Sequence, residues 1–332
     1  MLTRELDYEL PEDLIAQRPA EPRDSSRLMV VDAASGGITH HTFRDLPGIL
    51  RSGDALVLNE TKVIPAGLAA RRPGGGAVEL LFLRDLGGEW DALARPSKRL
   101  RPGMKLLAGD EALEVVKPLG HGHWLVRAAD VPGLLERYGH MPLPPYIQAT
   151  PEAEARYQTV YAKNVGSAAA PTAGFHFTDA VLEEVEKAGA EIARVTLHVG
   201  TGTFSPVRVE RLEEHEMHAE HYEVPEDAAR KIESAGRVVA AGTTVARTLE
   251  TWAASGEREG ESRLFVYPGY EWRVVDALLT NFHLPRSTLL AMVMSFGGRD
   301  LVREAYRIAV EEQYRFYSFG DAMLILNGGR AL

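Results

Sequence analysis

The sequence predicts an α/β fold, with a largely parallel or mixed sheet and flanking helices, carrying an inserted small β-barrel domain. Three observations lead there. From Gln158 onward, apolar runs of strand length alternate with apolar stripes at helical spacing. Between about Val63 and Ala149 the texture changes to short β-like runs at close spacing, punctuated by Gly and Pro. The first sixty residues hold too few elements to bury a core alone, so they are assigned to the α/β part. The expected domains are therefore 1–62 with 150–332, interrupted by a barrel at 63–149.

The elements follow in order. A short helix is expected at Pro11–Arg18, then strands at Leu28–Asp32 and Ala55–Leu58. Barrel strands are expected at Val78–Leu83, Trp90–Ala94, Ala112–Val116 and His123–Arg127, broken by turns such as Pro73–Gly76 and Arg101–Gly103. The proline-dense HMPLPPYIQATP reads as an extended linker. Val181, Leu182 and Val185 then mark a helical face ahead of a strand at Ile192–Val199. Helix Asp227–Ala235 precedes strand Val238–Ala241, and helix Val245–Ala254 precedes an expected strand at Leu264–Tyr267. Leu301, Val302, Ala305, Tyr306, Ala309 and Val310 form a further helical stripe.

Composition narrows the function classes. The chain has 332 residues, 45% hydrophobic and 25% charged, with no apolar run of membrane-spanning length. Its N-terminus, acidic and proline-containing, does not read as a signal peptide. There is no cysteine, which removes disulfides, thiolate metal sites and a Cys nucleophile. A cytoplasmic setting fits this without being required by it. The net charge of −10 argues against a polyanionic partner. Its distribution argues the other way. Residues 61–105 hold nine Lys/Arg against four acids, a local +5, which leaves −15 for the rest.

Three strand–turn–helix junctions gather polar residues. In TLHVGTGTFSPV (196–207), Gly200 and Gly202 permit close backbone approach, but the third glycine and the helix of a dinucleotide fingerprint are missing. In VVAAGTTVARTLE (238–250), Gly242 ends a strand and Thr243 or Thr244 is placed to cap the next helix. In DALLTNFHLPRSTLL (276–290), Asn281 and His283 sit at a strand end and Ser287 is placed to cap a helix. Ligands of open α/β sheets sit at the carboxyl ends of strands, so three such junctions point to one crevice. The alternative is that they are turns and caps with no ligand.

EHEMHAEHYEV (214–224) contains His215, His218 and His221, but neither the spacing of one helical face nor any sulfur ligand supports a metal site. Its interleaved Glu216, Glu220 and Glu223 suit proton transfer; an exposed charged strand is the plain alternative. PTAGFHFTD (171–179) places His176 between two aromatics before a helix, a setting also common for a core histidine. RPSKRLRPGMK (95–105) is a basic run of Arg95, Lys98, Arg99, Arg101 and Lys105, either a phosphate-binding loop or a solvated one.

Taken together, these strings resemble the S-adenosylmethionine:tRNA ribosyltransferase-isomerase family of queuosine biosynthesis, over nearly the whole chain. The resemblance rests on DYELPEDLIAQRP (7–19), DSSRL (24–28), LVLNETKVIPAGL (56–68), YGHMPLPPYI (138–147), YQTVYAK (157–163) and AAPTAGFHF (169–177). It continues through TLHVGTGTFSPV, HEMHAE (215–220), GTTVARTLE, YPGYEWRVVDALLTNFHLPRSTLL (267–290) and YRFYSFGDAM (314–323). Two positions depart from the family pattern: Gly67 stands where Arg is common, and His221 where many relatives differ.

The resemblance implies an α/β domain with an inserted barrel, in agreement with the independent reading. It also implies a reaction. The ribosyl part of S-adenosylmethionine is joined to 7-aminomethyl-7-deazaguanine at the wobble position of GUN-class tRNA. The sugar is rearranged to give epoxyqueuosine, and adenine and methionine leave. S-adenosylmethionine is then a consumed substrate, with no bound cofactor or metal, and a monomeric enzyme away from membranes is expected. Candidate acid–base residues are His218, Glu220, Asp276, His283 and His176, of which the first four are expected to line one pocket. Candidate substrate contacts are Thr172, His198, Gly200, Thr201, Gly202, Thr203, Gly242, Thr243, Thr244, Arg247 and Asn281. Arg95, Lys98, Arg99 and Arg101 are the candidate tRNA contacts. The rival classes are an S-adenosylmethionine-dependent tRNA methyltransferase, whose glycine-rich loop and following acid are not found, and a noncatalytic RNA-binding protein.

Overall fold

A computed structural model describes residues 1–200 and 207–326, which divide into two units. The first comprises Met1–Thr61, Pro145–Asn164 and the chain from Ala170 onward. The second comprises Lys62–Pro144 and Val165–Ala169.

The first unit is built on nine strands: β1 Arg27–Asp32, β2 Ile38–Thr42, β3 Asp54–Asn59, β4 Glu191–Leu197, β5 Glu220–Glu223, β6 Arg237–Ala241, β7 Glu259–Ser262, β8 Ala277–Asn281 and β9 Ala322–Leu326. Their order is β7-β5-β4-β3-β6-β8-β9-β1-β2. The centre, β4-β3-β6-β8, is parallel throughout. Beyond it β9 runs antiparallel to β8, β1 parallel to β9, and β2 antiparallel to β1. At the other edge β5 and β7 are antiparallel additions. The sheet is therefore mixed around a parallel core. Every residue of β3 and β8 is buried, as expected for strands covered on both faces, and this is why DALVLN and ALLTN do not alternate. One face packs Leu56, Leu58, Val239 and Leu279 against Val181, Leu182 and Val185 of helix α1 (Asp179–Lys187). Helices α2 (Glu226–Ser234), α3 (Thr243–Ser255), α4 (Thr288–Gly297) and α5 (Arg299–Glu311) belong to the same unit, with short helices at Leu46–Ile49 and Pro151–Arg156.

In the second unit, strands Gly67–Arg71, Ala77–Asp85, Trp90–Arg95, His123–Arg127, Glu111–Gly120 and Lys105–Ala108 pair in that order. Arg71 pairs with Leu107 across the seam and closes an antiparallel six-stranded barrel. Alternate residues such as Leu68, Ala70, Val78, Leu80, Phe82, Val115 and Val126 fill its interior.

Four local expectations are corrected. Pro11–Arg18 contains only a 3₁₀ turn at Glu12–Leu14, because Ile15 and Ala16 pair instead with Phe316. Leu264–Tyr267 is not a strand. The polar Glu259–Ser262 takes that place as an edge strand, and the apolar side chains of Leu264, Phe265 and Val266 wall a cavity. Helix α3 is entered from Gly242, with Thr243 and Thr244 inside its first turn and without a side-chain cap. The proline-dense segment is not wholly a linker, since Ile147 is buried and Tyr146 reaches a cavity described below. Ser287 does cap α4, accepting from the Leu290 amide. Among the described residues no helix is long and apolar enough to cross a membrane.

Candidate active site

The parallel strands of the first unit deliver their carboxyl ends to one side of the sheet. There β3 ends at Asn59, β4 leads to His198–Gly200, β6 to Gly242, and β8 to Asn281 and His283. Three cavities lie at this edge and share walls. The middle one is lined by Thr172, Ala173, Val199, Gly242, Thr280 and Asn281, together with Thr243, Thr244, His283 and Leu289. On one side it shares Thr243, Thr244 and Leu289 with an apolar lobe reached by Arg247. On the other it shares Thr172, Asn281, His283 and Leu289 with a lobe bounded by Tyr146, Tyr317 and Ser318. The result is one crevice at the position where open α/β sheets bind ligands.

Backbone geometry opens the middle of this crevice. Gly242 has φ +109°, a conformation L side chains rarely adopt, and its amide donates to the Leu279 carbonyl. Asn59 ties the neighbouring ends together. Its Nδ2 donates to the Leu197 carbonyl and Thr244 Oγ1, and its Oδ1 accepts from the amides of Thr61 and Leu197.

Asn281 is the most constrained polar group of the lining. Its Nδ2 donates to His176 Nε2 at 3.2 Å and to the Tyr317 carbonyl at 3.0 Å, which fixes the carboxamide orientation. Its Oδ1 is buried without a partner among the described residues. Because Nε2 of His176 accepts, Nδ1 carries the proton and donates to Ser26 Oγ at 2.7 Å. The ring stacks on Phe43. Burial, helped by Arg315 and Arg23, pulls His176 down to about 3, so the imidazole is neutral. With both nitrogens engaged inside the protein, His176 orients Asn281 and does not itself approach a ligand.

His283 is also buried, and burial pulls it down to about 3. Its Nε2 lies 2.7 Å from Thr280 Oγ1. Its backbone is pinned by Tyr306 and Tyr8, the first accepting from its amide and the second donating to its carbonyl. Unlike His176, it lines two of the three lobes.

Glu220 is 5% exposed, accepts from the Gly200 amide at 2.7 Å and is ion-paired with Arg247. Burial pulls the Arg247 guanidinium down to about 10, so it stays protonated at neutral pH. His198 stands beside this pair's segment, with Nδ1 2.9 Å from Thr61 Oγ1 and its ring stacked on His221. Burial and then His221 lower its pKa.

Of the four groups expected to line one pocket, only His283 lines the crevice itself; Glu220 stands behind it, joined through Arg247, and the other two are not in its walls. Asp276 precedes β8, at its amino end, and accepts from the Val238 amide at 2.8 Å. Five residues of extended chain, about 16 Å, separate it from Asn281. His218 is exposed, while Glu220 two residues on is buried, because the strand begins only at Glu220. The His cluster does not converge. His215 packs on Phe265 and His221 on His198, and no group of three His, Asp or Glu among the described residues could hold a metal ion. Thr201, Gly202 and Thr203 lie outside the described residues. In the barrel unit Arg95 ends the Trp90–Arg95 strand and Lys98, Arg99 and Arg101 follow on the loop after it, which is anchored by buried Leu100; all four are exposed. None of the four has an ion-pair partner among the described residues. Tyr146, Tyr317, Ser318, Asn59 and Ser26 carry no chemical signal of their own in the sequence, although all five fall within the strings that carry the resemblance.

Comparison with known proteins matches this architecture to one group. The family described as "Queuosine biosynthesis protein" matches residues 3–325. A Rubrobacter xylanophilus protein named S-adenosylmethionine:tRNA ribosyltransferase-isomerase is 74% identical over 333 residues, covering 100% of both chains. A Symbiobacterium thermophilum protein of the same name is 52% identical over 341 residues, covering 98% of this chain and 100% of its own. The crystal structure of an S-adenosylmethionine tRNA ribosyltransferase from Thermotoga maritima aligns with a TM-score of 0.57 at 40% identity, over 97% of this chain and 100% of that one. The chain belongs to the S-adenosylmethionine:tRNA ribosyltransferase-isomerase family of queuosine biosynthesis.

Proposed function

We propose that this protein transfers and isomerises the ribosyl moiety of S-adenosylmethionine onto 7-aminomethyl-7-deazaguanine at the wobble position of GUN-class tRNA. The product is epoxyqueuosine-tRNA, and adenine and methionine are released. The observation that carries this reading is the crevice at the carboxyl edge of the parallel strands, lined by Gly242, Thr172, Asn281 and His283, in a chain of this family.

The chemistry needs proton transfers. The sulfonium acidifies the adjacent C5′–H, which a base must take; the attacking amine must be neutral; adenine must be protonated to leave. His283 is the imidazole that reaches the crevice, and burial keeps it neutral there. Asn281 presents a fixed acceptor to an N–H group of the substrate. Glu220, held by Arg247 and the Gly200 amide, acts through the position it gives them. The exposed cations of the barrel loop are assigned to the phosphates of tRNA. No step calls for a metal or redox carrier, so activity persists after exhaustive chelation. A cytoplasmic monomer completes the reading.

Incubation with precursor tRNA and S-adenosylmethionine tests it. Free adenine and methionine should appear with one epoxyqueuosine per turnover. S-adenosylhomocysteine with methylated RNA would instead identify a methyltransferase, and tRNA binding without consumption a noncatalytic module.

A further inference from the structure

One lobe of the crevice combines apolar walls with a buried cation. Met217, Leu264, Phe265, Val266, Leu289 and Met292 form the walls. Arg247 enters from α3 and is 5% exposed. Its pairing with Glu220 uses one terminal nitrogen, and its Nε is buried with no hydrogen-bond partner among the described residues. The first turn of the 13-residue α3 faces the same lobe through Thr243 and Thr244, and takes no side-chain cap among the described residues. Arg247 follows them by four and three residues, so all three share a helical face. A guanidinium donor left unpaired in an apolar site is costly, and so are the free amides of a helix start. Both costs are relieved by one chemistry, an anionic carboxylate on an apolar chain.

We propose that this lobe is the subsite for the amino-acid end of S-adenosylmethionine. The α-carboxylate takes the free Arg247 donor and the α3 amides, and the methylenes and S-methyl lie against Met217, Phe265 and Met292. The inference rests on the reading of S-adenosylmethionine as substrate. It places the ribosyl group in the middle lobe, beside Gly242, Asn281 and His283, because that lobe shares Thr243, Thr244 and Leu289 with this one. The adenine ring fits the apolar lobe less well, since it offers no negative charge to the buried cation.

The test compares S-adenosylmethionine with its decarboxylated analogue on the full-length protein, by equilibrium binding and by turnover with precursor tRNA. The wild type should prefer the carboxylate-bearing form by on the order of 10²-fold, as for a lost charged hydrogen bond in a closed site. Arg247→Lys should reduce that preference. The double variant Arg247→Met, Glu220→Gln removes both charges together, so that no lone ion is left buried, and should bring the preference to within a few fold. The KM for tRNA and its salt dependence should not change. Equal binding of the two forms by the wild type, or a preference that survives in the double variant, overturns the proposal. So does a reduced tRNA salt dependence in the Arg247 variants with the preference intact, which would give the guanidinium to an RNA phosphate. Failure of the wild type to consume S-adenosylmethionine would refute the functional reading instead, and the binding comparison would still decide the subsite.

Discussion

The Asn281 carboxamide offers a quantitative test of how the crevice is held. Replacing Asn281 with Ala removes two donated hydrogen bonds and leaves two buried acceptors, His176 Nε2 and the Tyr317 carbonyl, without partners. A stranded buried polar group costs about 1–3 kcal/mol, so with two of them Asn281→Ala should destabilise the protein by about 2–6 kcal/mol. His176→Phe keeps the ring that stacks on Phe43 but removes the acceptor. In the double variant one stranded acceptor is gone, so the two losses should fall short of additivity by on the order of 1–2 kcal/mol. Urea unfolding of the four proteins measures this coupling. Turnover gives a second readout. If His176 works by orienting Asn281, His176→Phe should lower kcat/KM in the wild-type background and have little further effect once Asn281 is Ala. Additive stabilities together with independent losses of activity would refute the orienting role.

Three further outcomes follow from the same geometry. Replacing Arg95, Lys98, Arg99 and Arg101 with Ala should raise the KM for tRNA and flatten its dependence on log[salt], by up to about 0.7–0.9 per lost phosphate contact, with the KM for S-adenosylmethionine unchanged; unaltered tRNA affinity would make the run a solvated loop. His176 and His283, both held near 3 by burial, bind protons in the unfolded chain below about 6.5 but not in the folded one. Stability should therefore fall as pH drops from about 6.5 toward 3, by up to about 1.4 kcal/mol per pH unit per histidine, and His283→Gln should make the slope shallower by about one proton; an identical slope would contradict its buried neutral state. Asp276→Asn should cost about 1 kcal/mol of stability through the weakened bond from the Val238 amide while leaving kcat near normal, and a 10²-fold loss of kcat would return Asp276 to the chemistry.

The elements with strong periodicity were legible in the sequence. β3, β6 and β8 and the stripes of α1 and α5 are found where apolar spacing places them, because burial dictates those residues. The barrel was legible from its alternating runs and turns. Leu264–Val266 misled because β-like apolar residues serve equally well as a cavity wall, and spacing does not distinguish the two uses. Gly242, Asn281 and His283 were visible because strand ends in an α/β sheet converge whatever the residues are. Asp276 and His218 were misplaced for a common reason. Proximity in sequence does not give proximity in space here: one stands a strand length away and the other lies before β5 begins. Ser26 and Tyr146 come from segments remote from the site in sequence, and only folding joins Ser26 to His176 or Tyr146 to Ser318.

The central claim is that the crevice consumes S-adenosylmethionine as a ribosyl donor. Two labels in one substrate test it most directly: one isotope in the ribose carbons and another in the S-methyl group, incubated with precursor tRNA and the full-length protein. The account predicts that the ribose label enters the RNA at one equivalent per modified nucleoside while the methyl label stays entirely with free methionine. Methyl label in the RNA, or release of adenine without ribose label in the RNA, would contradict it.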